Sequence, residues 1–184
     1  ANLQDYPVSM AIKAGRVSSP ILTLDCCGPR LAHAGFKDLL RNNTYDASEL
    51  AIVTCLQARC LGKPWVLIPA PVHGRFQHHC AGYNIEFGAV KPRDIEGKLV
   101  GVRTYAQTTG LWIRGILQHE YGVDLDKVTY LTVDEGHLSE IRDPPNCRRL
   151  PPGSDIGQMM LKGAVIASLM PSSTWASALR SRRE

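Results

Sequence analysis

The sequence predicts an α/β fold with mostly parallel strand pairing, divided into two lobes. Short apolar runs with β character alternate with helix-like stretches along the chain, as crossover units in a parallel sheet require. Residues 99–121 (LVGVRTYAQTTGLWIRGILQHEY) read as a strand, a polar loop and a long helix in immediate succession. The alternation breaks at a histidine-rich loop ending at His79 and restarts at Cys80. This places a first α/β lobe at residues 1–79, a second at 80–170 and a tail at 171–184, with a polar cleft expected between the lobes.

The elements follow in order. Residues 6–14 (YPVSMAIKA) and 21–26 (ILTLDC) are predicted strands. Residues 36–41 form a short helix before the turn-like Asn42-Asn43. Residues 47–60 take helical spacing in their later half, stopped by Gly62, Lys63 and Pro64. The apolar run 65–70 (WVLIPA) reads as a buried strand. Residues 80–84 and 99–103 are predicted strands, with a turn or short helix at 91–97 between them. The strongest helix runs from Thr108 to Tyr121. Leu111, Ile113, Ile116, Leu117 and Tyr121 supply much of its apolar surface, and Gly122 stands where a C-cap glycine belongs. A strand at 128–133, a loop at 143–153 with four prolines, a helix at 156–161 and a strand at 165–170 complete the series.

Composition narrows the function classes. With 44% hydrophobic and 21% charged residues in 184, the chain has the make-up of a soluble globular protein. The net charge of +4 is mild, and its arginines cluster only in small groups such as Arg148-Arg149 and Arg180, Arg182, Arg183. No concentrated basic face supports nucleic-acid binding; a small anionic ligand fits better. No apolar run reaches the roughly 18 residues of a membrane span. The six cysteines include no CxxC pair, and the adjacent Cys26-Cys27 suits disulfide geometry poorly. Thiols in a reducing compartment are therefore expected, hence the cytoplasm, with the periplasm as the alternative where an export signal has been removed. No metal or cofactor is expected, since no HxH or HxxxH spacing is present and GxSxG, GxxxxGK[ST] and GxGxxG are all absent.

The loop 104–109 is the clearest candidate site. A strand that ends in a loop feeding a helix start is the usual α/β ligand position, and the helix dipole there favours negative charge. Thr108 or Thr109 can cap the helix, leaving the second hydroxyl and the Gln107 amide toward a ligand. Arg103 can pair with a carboxylate, and Tyr105 can stack on a ring. An ordinary capped helix with solvated polar residues is the plain alternative. The loop PAPVHGRFQHH offers His73, Arg75, His78 and His79, which combine titration near neutrality with a bidentate carboxylate grip. His78 and His79 point to opposite sides if the chain is extended there. Glu49, in the SEL of residues 48–50, is either a helix-dipole partner or a carboxylate facing these cations. His137, Glu140 and Asp143 read as a loop at the edge of a lobe.

Three stretches together resemble a known family: DASELAIVTCLQARCLGKPWVLIPAPVHGRFQHH, DIEGKLVGVRTYAQTTGLWIRGILQHEYGVDLDKVTYLT and MMLKGAVIA. They resemble the 4,5-dihydroxyphthalate decarboxylase-like family, which is similar in fold to the type 2 periplasmic substrate-binding proteins. The resemblance runs from about Tyr45 to about Met170. It implies a two-lobed periplasmic-binding-protein-like fold, truncated here at the C-terminus, because family members cross back to complete the first lobe. It implies that Glu49, Arg75, His78, Gln107, Thr108 and Thr109 line the cleft. The activity it implies is decarboxylation of a hydroxylated aromatic carboxylate. His78 or His79 would be the acid, Arg75 and Arg103 would hold carboxylates, and Thr108 and Thr109 would bind the remaining oxygens. The alternative is a non-catalytic binding protein that delivers a small anion to an ABC-type transporter. Either use is compatible with a homo-oligomer. Arg103-Thr104-Tyr105 departs from the proline–glutamate–tyrosine common in the decarboxylases, which puts the substrate in question.

Overall fold

Contacts divide the chain after Arg75 into two units in the computed structural model, which describes residues 1–170. The tail expected at 171–184 lies outside the described residues.

The first unit is built on helices. Helix α1 spans Pro7–Lys13, α2 Phe36–Asn42 and α3 Ile52–Cys60. The strand expected at 6–14 is α1 instead. Its alternating Val8, Met10 and Ile12 suggest period two, but all three are exposed. Local chemistry decides: Pro7 presets φ at the first helical turn, and Ser9 Oγ accepts the Tyr6 N–H at 2.9 Å. The runs 21–26 and 65–70 are not strands either. Ile21 and Val66 are 94% and 81% exposed, so the buried strand expected at 65–70 is corrected to an exposed extended segment. β-branched composition makes a strand only where a partner edge receives it, and none does so among the described residues. The predicted helices are present: α2 ends on Asn43 in the left-handed region, and α3 buries Val53, Thr54, Cys55 and Ala58. Asn2 ties the unit together. It is fully buried and donates to the Ala32 carbonyl at 2.9 Å and to Ser48 Oγ at 3.0 Å.

The second unit carries the sheet. Strands β1 (Ala81–Tyr83), β2 (Leu99–Val102), β3 (Thr129–Thr132), β4 (Cys147–Arg149) and β5 (Ala167–Leu169) lie in the order β1-β5-β2-β3-β4. The run β5-β2-β3-β4 is parallel and β1 joins its edge antiparallel, so the mixed α/β class predicted from the alternation is what forms. Strand β4 falls in the proline-rich stretch expected to be a loop. It is an edge strand with a single neighbour, which is where flanking prolines are tolerated.

Helix α4 (Thr108–Tyr121) and helix α5 (Ile156–Leu161) cover the sheet. On one face Ile113 and Val123 pack with Val100, Val102, Tyr130 and Leu169. On the other, Ile156 and Met160 pack with Leu131, Val165 and Met170. Gly101 lets α5 approach: a Cβ there would stand 2.2 Å from Ile156 Cγ2. Gly122 caps α4 in the left-handed region at φ 63°, as its position predicts. The buried stripe of α4 is Thr109, Gly110, Ile113 and Arg114, while Leu111 and Tyr121 are exposed. An arginine thus occupies a position the apolar periodicity assigns to the core.

Candidate functional site: the start of helix α4

Strand β2 ends at Val102, and residues 103–107 turn the chain into α4. The turn is closed by the Gln107 N–H donating to the Thr104 carbonyl at 3.3 Å. Gln107 is the N-cap, with no side-chain cap hydrogen bond, so the capping role expected of Thr108 or Thr109 passes to neither. Thr108 and Thr109 are the first two helical residues, and Thr109 is buried. The Gln107 Oε1 is buried without a hydrogen-bond partner among the described residues. Peptide dipoles summed over this 14-residue helix leave partial positive charge at this end.

Beneath the turn lies a cation that the sequence argument did not single out. Arg114 is 5% exposed. Its guanidinium carbon lies 3.8 Å from the Tyr105 ring centroid and 5.4 Å from that of Tyr130, and Nη2 donates to the Tyr105 carbonyl at 2.8 Å. Burial pulls its pKa down, which the nearby tyrosines, Cys147 and Asp143 oppose. Tyr105 and Tyr130 meet edge to face at 5.3 Å. Burial also raises the Tyr130 phenol well above its ordinary range. Cys147, with the Thr132 hydroxyl against it, is pushed up to about 11, chiefly by burial, with the Asp143 charge adding to this. Tyr105, expected to stack on a ligand ring, has Arg114 over one face. Arg103, expected to hold a carboxylate, pairs through Nε with Asp134 at 2.8 Å, and its carbonyl accepts from the Val133 and Asp134 amides.

His78 and His79 form a short 3-10 turn with Cys80, and that turn packs against α4. The turn is anchored by Cys80, which is fully buried in the α4-side core, while both imidazoles are exposed. The second unit therefore brings the two histidines and the loop 103–109 onto a shared helix.

The first unit gathers Glu49, Tyr6, His73 and Arg75. The Glu49 carboxylate accepts from the Gln4 amide and from the Tyr6 phenol. Tyr6 stacks on His73 at 5.5 Å with planes 13° apart. Burial raises the Tyr6 pKa, Glu49 raises it further, and the Arg75 charge opposes both. Glu49 precedes α3 by three residues and is held to the N-terminal segment by its amide donating to the Asn2 carbonyl. The sequence pattern places Tyr6 in a strand, so its side chain carries no signal there. Arg114 did leave one: a charged residue at i+4 from Gly110 and i−3 from Leu117, on the stripe that meets the sheet. Among the described residues no three His, Cys, Asp or Glu side chains converge on a cation site, and no helix is long and apolar enough to cross a membrane.

A positively polarised helix start over a buried guanidinium, at the carboxyl end of a parallel strand, is the corner of an α/β fold at which ligands commonly sit. The chain is similar to 4,5-dihydroxyphthalate decarboxylase of Comamonas testosteroni, 28% identical over 92 residues, and to the enzyme of the same name from Pseudomonas putida, 26% identical over 92 residues. The matched stretch is 50% of this chain in both cases and 28% and 36% of the two relatives. No family model matches the chain.

Proposed function

We propose that this protein decarboxylates a hydroxylated aromatic carboxylate of the 4,5-dihydroxyphthalate type, on a two-lobed scaffold like that of type 2 periplasmic binding proteins. The observation that carries the reading is the start of α4, where Thr108, Thr109, Gln107 and the helix dipole meet the Arg114 charge. A dianionic ring acid is the kind of ligand such a corner favours.

The chemistry needs a proton donor, an anion grip and an electron-rich ring. A hydroxyl para to the departing carboxylate pushes electron density to the carbon that bears it. An acid, His78 or His79, delivers a proton to that carbon. The carbon–carbon bond then breaks, its electron pair restores the aromatic ring, and CO2 leaves. Histidine suits the step because its ordinary pKa lies near neutrality. The packing of the His78–Cys80 turn against α4 supports placing the donor near the grip. In this reading Thr108 and Thr109 bind carboxylate oxygens, and Arg103 exchanges its Asp134 partner for substrate. In the first unit, Glu49 and Arg75 are the polar groups assigned to the ligand.

Incubation of the protein with 4,5-dihydroxyphthalate tests this: release of one CO2 with formation of 3,4-dihydroxybenzoate is expected. Tight binding with no CO2 would instead favour a carrier for an anionic ligand. Absence of both binding and turnover across hydroxylated aromatic acids would remove the proposal.

A further inference from the structure

We infer that Arg114 is a positioning residue for the anion-binding turn: its buried guanidinium, in place of a side-chain helix cap, holds residues 104–110 and sets a positive charge beneath the start of α4. The inference rests on the reading of that turn as the ligand grip, but its first test does not.

Four observations carry it. First, Arg114 takes a core position on the buried stripe of α4 at 5% exposure. A charge is brought to such a place at a cost that aliphatic packing would avoid. Second, two of its contacts go to one residue of the turn: it lies 3.8 Å from the Tyr105 ring and donates to the Tyr105 carbonyl at 2.8 Å. Ring and backbone are thereby fixed together. Third, the turn has no side-chain helix cap. The N-cap Gln107 contributes no such bond, and the closing backbone bond is 3.3 Å long. Fourth, Nη1 is buried without a hydrogen-bond partner among the described residues, and it lies against the first turn of α4: a Cβ on Gly110 would be 3.3 Å from it. No ion pair to Arg114 is formed among the described residues; Asp143 acts on it only at longer range. The charge therefore has no ion-pair partner among the described residues, and it adds to the helix dipole where an anion is to be held.

A packing role and a positioning role separate by experiment. Arg114→Met keeps length and removes both the fork and the charge. Arg114→Lys keeps the charge but lacks the planar fork. Amide hydrogen exchange is followed across wild type and both variants, with steady-state turnover of 4,5-dihydroxyphthalate on the same samples. In Arg114→Met, amides 104–111 are expected to exchange at least about tenfold faster while β2 and β3 are unchanged. KM is expected to rise about tenfold or more with kcat within about threefold, because the grip is lost and the acid is not. Arg114→Lys is expected to loosen the turn likewise but to raise KM less, since the charge remains. Should Arg114→Met fail to fold, the lysine variant carries the exchange prediction alone. Unchanged exchange at 104–111 in a folded variant would overturn the inference. So would a rise spread evenly over β2 and β3, or a loosened turn with unaltered KM. If wild type neither binds nor turns over the acid, the proposed function fails, and the exchange pattern still decides the role of Arg114.

Discussion

The Arg114 guanidinium lies 3.8 Å above the Tyr105 ring and donates to the carbonyl of that same residue. A cation is thus solvated by one loop residue from both its aromatic face and its backbone, inside a protein core. Such a contact is stronger where water is excluded, about 2 kcal/mol. Tyr105→Phe keeps the ring and is expected to leave stability nearly unchanged. Tyr105→Leu leaves the buried cation without its π face and is expected to cost roughly 2 kcal/mol or more. Chemical denaturation of both variants measures the difference.

Gly101 is the point of closest approach between β2 and α5. A methyl group there meets Ile156 Cγ2 at 2.2 Å, a separation that requires backbone or side-chain movement. Gly101→Ala is expected to destabilise by about 1–3 kcal/mol. Ile156→Ala removes the opposing Cγ2, so in the double variant the two costs should add to less than their sum. A thermodynamic cycle reads that coupling directly.

The alkaline limb of stability should carry a signature of Cys147. Its thiol is raised from 9.0 to about 11 on folding, mainly because burial disfavours the thiolate. The unfolded chain then loses this proton first, so the folded state binds more protons above pH 9. Stability from this group is complete below about pH 9 and is lost as pH rises toward about 11. Tyr130 acts in the same direction at higher pH, again through burial. Cys147→Ser is expected to flatten the decline between these two pH values, measured by denaturant titration at each pH.

The Tyr6 phenol should report the charge of Glu49. The carboxylate raises the phenol by its charge and by accepting its hydrogen bond, on top of the effect of burial. Glu49→Gln removes the charge and leaves the burial. The Tyr6 pKa is expected to fall while staying above that of an exposed tyrosine, as followed by NMR of the labelled phenol carbon.

How much of this was legible in the sequence divides by the range of the forces involved. Helix α4 and its Gly122 cap followed from period and local backbone chemistry, which act within a few residues. The parallel strands β2, β3 and β5 followed from apolar runs bounded by turns. At 6–14 the period-two run competes with the local signals of Pro7 and Ser9, which set a helix; at 21–26 and 65–70 strand formation depends on a partner edge that no local window contains. Strand β4 is masked in the sequence by the prolines on either side of it. In the site, the turn 103–109 was found from its place between strand and helix. Arg114 was passed over although its spacing put it on the buried stripe, because periodicity assigns a face but not what a buried cation will meet. The pairing of Arg103 with Asp134, 31 residues away, had no local signal.

The most direct test of the proposed activity is NMR of 4,5-dihydroxyphthalate incubated with the protein in D2O, with its carboxylates carbon-13 labelled. Labelled CO2 is expected together with 3,4-dihydroxybenzoate that bears one deuterium at the vacated ring carbon. Line broadening of the substrate with neither CO2 nor deuterium incorporation would contradict it.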